Sequence, residues 1–137
     1  MVPMSIRYEG GLRCVATHGP SGAQIQTDAP TDNHGKGQAF SPTDLVGVAL
    51  GTCMLTTMAI FAQRKGIELA GTDVRVSKEM VADPVRRIGR LTVEFSLPPG
   101  NTLTAEQKQM LEHAANTCPV HKALHGHVEM PVTFKWT

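Results

Sequence analysis

The sequence predicts an α+β fold, on three observations. Its first third is a run of short strands punctuated by glycine turns. A stretch without formal charge, Leu45 to Ala62, then follows a proline-led helix start. Further on, strands and helices do not alternate in the strict order that a parallel βαβ sheet requires.

Each element has its own signal. Ser5–Glu9 and Leu12–Thr17 flank Gly10-Gly11, a pair suited to a two-residue hairpin because both residues accept positive φ. A second turn, Gly19-Pro20-Ser21-Gly22, leads into Ala23–Thr27, so the opening segment reads as a three-stranded meander. Asp28–Phe40 is rich in Gly, Pro, Asp and Asn and reads as a loop. Ser41 caps a helix with Pro42 at its first position, and that helix runs to about Lys65, where Gly66 ends it. Asp73–Met80 and Ile88–Leu97 are strands separated by a turn at Asp83-Pro84. In the second, Leu91, Val93, Phe95 and Leu97 alternate with Thr92, Glu94 and Ser96, the period of a half-buried strand. Thr104-Ala105-Glu106-Gln107 has the form of a capping box, and Met110, Leu111, Ala114 and Ala115 fall on one helical face after it. A short helix follows Pro119 and ends at Gly126. Alternation from Val128 to Trp136 marks a last strand, which Pro131 places at a sheet edge or with that amide position facing outward.

At 137 residues the chain is long enough for a single domain with a real core. A formal net charge of +1 gives no basic face for nucleic acid. The first ten residues include Arg7 and Glu9 and lack the apolar centre of a signal peptide. Three cysteines, an odd number, fit a stapled secreted domain poorly. A cytoplasmic protein is the expectation. Leu45–Ala62 approaches the roughly 20 residues of a membrane span, but Gly47, Gly51, Thr52, Thr56 and Thr57 dilute it. A helix buried at the centre of a globular protein or dimer is the simpler reading, with no membrane partner.

The cysteines carry the chemistry. Cys53 lies mid-helix among Val46, Ala49, Leu50, Thr56, Thr57 and Ile60, surroundings that by themselves leave a thiol inert. Reactivity there requires a cation from another element. Cys118 directly precedes Pro119 at a helix start, where unpaired amides favour the thiolate, and His121 stands three residues on. The plain alternatives are a small buried hydrophobe at Cys53 and a helix cap at Cys118. As a pair they suit peroxide reduction: one thiolate attacks the O–O bond and becomes a sulfenic acid, and the other condenses with it to a disulfide. Cys14, in a short strand, reads as structural. Cys118, His121, His125 and His127 fall within ten residues, but their spacing matches no familiar zinc pattern, so no metal or cofactor is expected.

Ser41-Pro42-Thr43-Asp44-Leu45-Val46-Gly47, followed by Gly51-Thr52-Cys53, resembles the central-helix motif of the OsmC/Ohr family of organic hydroperoxide resistance proteins. Thr117-Cys118-Pro119-Val120-His121 resembles that family's second cysteine motif, about 65 residues after the first as here. The order of elements matches over essentially the whole chain. The resemblance implies an OsmC-like fold, an intertwined homodimer with active sites at its interface, and reduction of hydroperoxides with a dithiol reductant of lipoyl type. It places the peroxide-attacking role on Cys53 and the resolving role on Cys118, assisted by an arginine and a carboxylate. Arg13 occupies the arginine's region, with Arg7 competing. The family's glutamate position is Thr43 here, with acidic Asp44 beside it. Asp44 lies roughly 13 Å from Cys53 along a helix, so it would have to assist from the partner subunit, and its default role is charge stabilisation at the helix start. A non-catalytic relative that binds a small apolar ligand is the rival function, and thiol chemistry on another electrophile is a third.

Overall fold

A computed structural model describes residues 1–98 and 103–137. Its elements are β1 Met4–Gly10, β2 Arg13–His18, β3 Gln24–Asp28, α1 Pro42–Arg64, β4 Asp73–Val81, β5 Arg87–Ser96, α2 Ala105–Ala115, α3 Pro119–Leu124 and β6 Val132–Lys135. The mixed α+β expectation holds, with two three-stranded sheets. The chain divides into two compact units, Met1–Val46 and Gly47–Thr137, the division falling inside α1.

In the first unit, β1, β2 and β3 form the antiparallel meander the turns predict. The hairpin turn is displaced by one residue from its expected place. β1 continues through Gly10, which pairs with Arg13 after a register shift, and the turn is Gly11-Leu12. Leu12 therefore carries the positive φ (63°) that glycine would carry more cheaply. Asp28–Phe40 is not wholly irregular, since a single 3-10 turn spans Thr31–Asn33. The neck of this loop is closed by the Asp28 N–H donating to the Phe40 carbonyl at 3.1 Å.

At the start of α1, the Ser41 Oγ accepts from the Asp44 N–H at 3.1 Å, while the Asp44 carboxylate accepts from the Ser41 N–H at 2.8 Å. This is a reciprocal capping box with Asp in the third helical position. At the far end, the Ile67 N–H reaches back to the Ala62 carbonyl over Gly66, whose φ is 70°. That is the glycine stop the sequence signals.

The second unit holds the main core. Leu91, Val93 and Phe95 of β5 are fully buried, as the period-two pattern requires. Also buried are Leu50, Met54, Met58 and Ala62, on one face of α1, and Leu111, Ala114 and Ala115 of α2. Gly47 and Gly51 belong to the same α1 face. A Cβ at Gly51 would stand 2.8 Å from Val76 Cγ2, and one at Gly47 would stand 3.4 Å from Val76 Cγ1. The two glycines thus let the helix backbone sit directly on β4.

Only one side of α1 is covered in this way. Val48, Thr52, Thr56 and Ile60 are exposed, and 33% of the helix's most apolar window is buried. The expectation of a helix buried all round is met on one face, because a single chain supplies cover for only that face. Length and composition alone would also let α1 cross a membrane, a test that core helices pass too.

Thr104 caps α2 with Gln107 in the expected capping box. The last strand is shorter than the Val128–Trp136 alternation suggests. Val132–Lys135 pairs in parallel with β5, and upstream only Glu129 bridges, to Arg90. Pro131, having no N–H, interrupts the ladder, though its carbonyl still accepts from the Val93 N–H. β6 is an edge strand, as that proline predicts.

Candidate functional site

The two thiols of the second unit meet. Cys118 is the N-cap of α3 and is completely buried. Its Sγ accepts from the His121 N–H at 3.2 Å. Burial pushes the Cys118 thiol above the usual cysteine range. The N–H of His121 pulls it back in part, and a hydrogen bond with Cys53 raises it further. The sequence-based expectation that the helix start favours a Cys118 thiolate gets the sign of the amide contribution right. Desolvation outweighs it, because the sulfur has no contact with water.

Cys53 is placed by the phase of α1. Leu50 and Met54 on either side of it point into the core, whereas Thr52 and Thr56 are exposed. Cys53 falls at the margin between these faces and is only half-buried. The pair is therefore asymmetric. Cys53 is half-buried, whereas Cys118 is fully buried and its thiol is pushed toward the protonated form. Both are free thiols, as is half-buried Cys14 on β2.

The first unit holds the other residues singled out in the sequence. Arg13, at the start of β2, lies opposite Asp28, the last residue of β3. Its Nε and Nη2 donate to the two carboxylate oxygens at 2.7 and 2.9 Å, and Nη2 also reaches Gln38 Oε1 at 3.2 Å. The Gln38 N–H donates to the same carboxylate at 3.0 Å. Asp28, although almost fully buried, is held below the usual carboxylate range by the Arg13 hydrogen bonds, which outweigh desolvation. Asp28 was not among the residues singled out in the sequence. Its signal was the meander register, which puts it opposite Arg13. Arg7 lies on the same sheet, opposite Val15. Asp44 is engaged in the α1 capping box, the role a carboxylate in the first helical turn ordinarily takes.

The histidines near Cys118 do not converge. The rings of His121 and His125 are 6.1 Å apart and nearly parallel. Among the described residues no three histidine, cysteine or carboxylate side chains gather as a metal ion would require.

The family model for OsmC-like proteins matches residues 35–133, from before α1 into β6 and across both cysteines. The chain belongs to the OsmC-like protein family. Relatives of known structure agree. A protein of Psychrobacter arcticus 273-4, whose name suggests an osmotic stress induced and detoxification response, superposes with a TM-score of 0.90 at 39% identity, over 98% of this chain and 96% of that one. An organic hydroperoxide resistance protein OsmC from Legionella pneumophila superposes at 0.78 with 14% identity, covering 99% and 97%. The organic hydroperoxide resistance protein OhrB of Bacillus subtilis gives 0.65 with 20% identity, covering 98% of each. The last two share the fold. No curated protein matches the sequence.

The Arg13–Asp28 pair makes a pH-dependent contribution to stability. Because the folded carboxylate titrates below its ordinary value of 3.8, the contribution is full at and above that value and is lost as pH falls through the lower folded value. In thermal melts followed by circular dichroism, Asp28→Asn should lower Tm at neutral pH. The gap from wild type should narrow as pH falls below 3.8. A gap that is constant with pH would mean the carboxylate's charge contributes nothing.

Proposed function

We propose that this OsmC-like chain reduces organic hydroperoxides or hydrogen peroxide through a Cys53/Cys118 redox pair. What supports the reading is the nearness of the two thiols, close enough for Cys53 to act on the Cys118 thiol, so that a second sulfur stands near a sulfenic acid formed on Cys53. Cys53, half-buried at the helix margin, attacks the O–O bond; the peroxide releases an alcohol or water and Cys53 becomes a sulfenic acid. Cys118, dry and protonated until then, resolves it to a disulfide, and a dithiol reductant of lipoyl type restores both thiols by exchange. Arg13 is the candidate assisting cation. Its anchoring on Asp28 supports a fixed guanidinium, whose Nη1 edge is not used by that pair. Asp44 is the candidate assisting carboxylate, with the capping box as its competing role. The chemistry belongs in a reducing compartment such as the cytoplasm.

A homodimer is part of the same proposal. The exposed stripe of α1 is more apolar than its threonines suggest. Thr52 and Thr56 donate their hydroxyls to the carbonyls of Val48 and Thr52, at 2.7 and 2.9 Å, and so turn methyl groups outward beside Val48 and Ile60. On the first sheet, Met4, Ile6 and Tyr8 line one exposed face, Ile6 in register with Ala16 and Ile25. Two uncovered apolar faces on one small chain are best explained by a second copy.

The rival reading, binding of a small apolar ligand, is favoured by a groove of about 330 Å³ between α1 and β4, lined by Val48, Gly51, Thr52, Leu55, Val74 and Val76. Steady-state turnover of cumene hydroperoxide with a dithiol separates the two. The peroxidase reading expects Cys53→Ser to abolish turnover, and Cys118→Ser to leave a dimedone-reactive sulfenic acid on Cys53. Turnover that persists in Cys53→Ser would sink the mechanism, and an unreactive wild type would favour the ligand-binding role.

For the dimer, light scattering coupled to gel filtration should give twice the chain mass of 14.7 kDa for wild type, and a smaller species for Ile60→Glu. A wild-type monomer at micromolar concentration would contradict it.

A further inference from the structure

Disulfide formation at this site needs a base. A thiol attacks only as its thiolate, and Cys118 is fully buried with its proton retained. Removing that proton inside a dry site requires an acceptor supplied by the protein.

The backbone N–H of His121 donates to this sulfur at 3.2 Å. The ring nitrogen Nδ1 of the same residue is buried and has no hydrogen-bond partner among the described residues. Buried polar atoms are nearly always partnered, so an unpartnered ring nitrogen in the residue whose amide holds this sulfur calls for a physical role. We propose that His121 is the general base that takes the proton of Cys118 as the disulfide forms.

The surroundings keep the ring neutral and so able to accept. Burial, then the neighbouring His125, then Lys122 push it below the ordinary histidine value of 6.5. His125 and Lys122 are the charged groups acting on it, both on or at the end of α3, with the Cys118 and Cys53 thiols on its N-terminal side. In the resting dithiol Nδ1 makes no hydrogen bond, so the transfer contact forms in the reacting state, directly or through one water.

The step balances. Nδ1 accepts the Cys118 proton, and the electron pair left on that sulfur attacks the sulfur of the Cys53 sulfenic acid. The S–O bond breaks, and the leaving hydroxide takes the proton from the imidazolium and departs as water. The Cys118 sulfur is oxidised and the sulfenic sulfur reduced.

The inference rests on the Cys53/Cys118 reading, and the test separates the two. The reduced full-length protein is mixed with one equivalent of tert-butyl hydroperoxide. Formation and loss of dimedone-reactive sulfenic acid are then followed from about pH 5 to about pH 9. In wild type the loss should slow through an acid limb below 6.5. In His121→Asn that limb should vanish and the loss at neutral pH should slow by about 10²-fold or more, with sulfenic acid formation unchanged. An unchanged profile in the variant overturns the proposal. Should the variant fail to fold, the wild-type profile decides. A limb below 6.5 supports the histidine, and one rising only near or above the thiol's ordinary 9.0 removes it. No disulfide in wild type together with no sulfenic acid in Cys118→Ser would overturn the redox reading and the base with it, a result distinct from a histidine-independent disulfide.

Discussion

The close seating of α1 on β4 and β5 sets the geometry of the thiol pair, because it fixes the rotation of the helix about its own axis. Gly47 and Gly51 remove the side chains that would hold the helix away from Val76, and Leu50, Met54 and Met58 are then driven fully into the core. Each such residue is worth about 1.5–3 kcal/mol of burial, whereas a hydrogen bond between neutral groups contributes about 1 kcal/mol. Packing, not the thiol contact, therefore decides the phase of the helix. With that phase set, position 53 falls between the buried and exposed faces, at the one angle that serves a sulfur needing both a buried partner and an approach.

The same core imposes the asymmetry of the pair. Cys118 closes α3 from beneath, where amide donors favour the anion and exclusion of water opposes it. The opposition resolves toward the protonated thiol because desolvation acts on the full charge of a thiolate, while each neutral amide offers only a dipole. Such a sulfur is a poor first nucleophile, which supports the proposed order in which Cys53 attacks and Cys118 resolves.

Much of the fold was legible because its signals are local. The glycine stop at Gly66, the Thr104 capping box, the Pro42 helix start and the alternation through Leu91, Val93 and Phe95 each depend on a few neighbouring residues. What was misplaced depends on pairing across strands. The turn at Gly11-Leu12 is set by a register shift in β1, and β6 begins only after Pro131 because an edge ladder cannot use a residue without an N–H. At the site, the cysteine motifs and their spacing were readable. Net desolvation of Cys118 was not, since it arises from packing by residues distant in sequence. Asp28 went unrecognised for a related reason. Its partner is fifteen residues away across a sheet, and the surrounding Gly, Pro and Asn composition marks only a loop.

The most direct measurement is the intact mass of the reduced protein after one equivalent of hydroperoxide, with peptide mapping of the product. Close approach of the two sulfurs predicts a loss of two hydrogens located in a single cross-linked peptide containing Cys53 and Cys118. A gain of oxygen on Cys53 that never converts to that cross-link, or a cross-link through Cys14 instead, would contradict it.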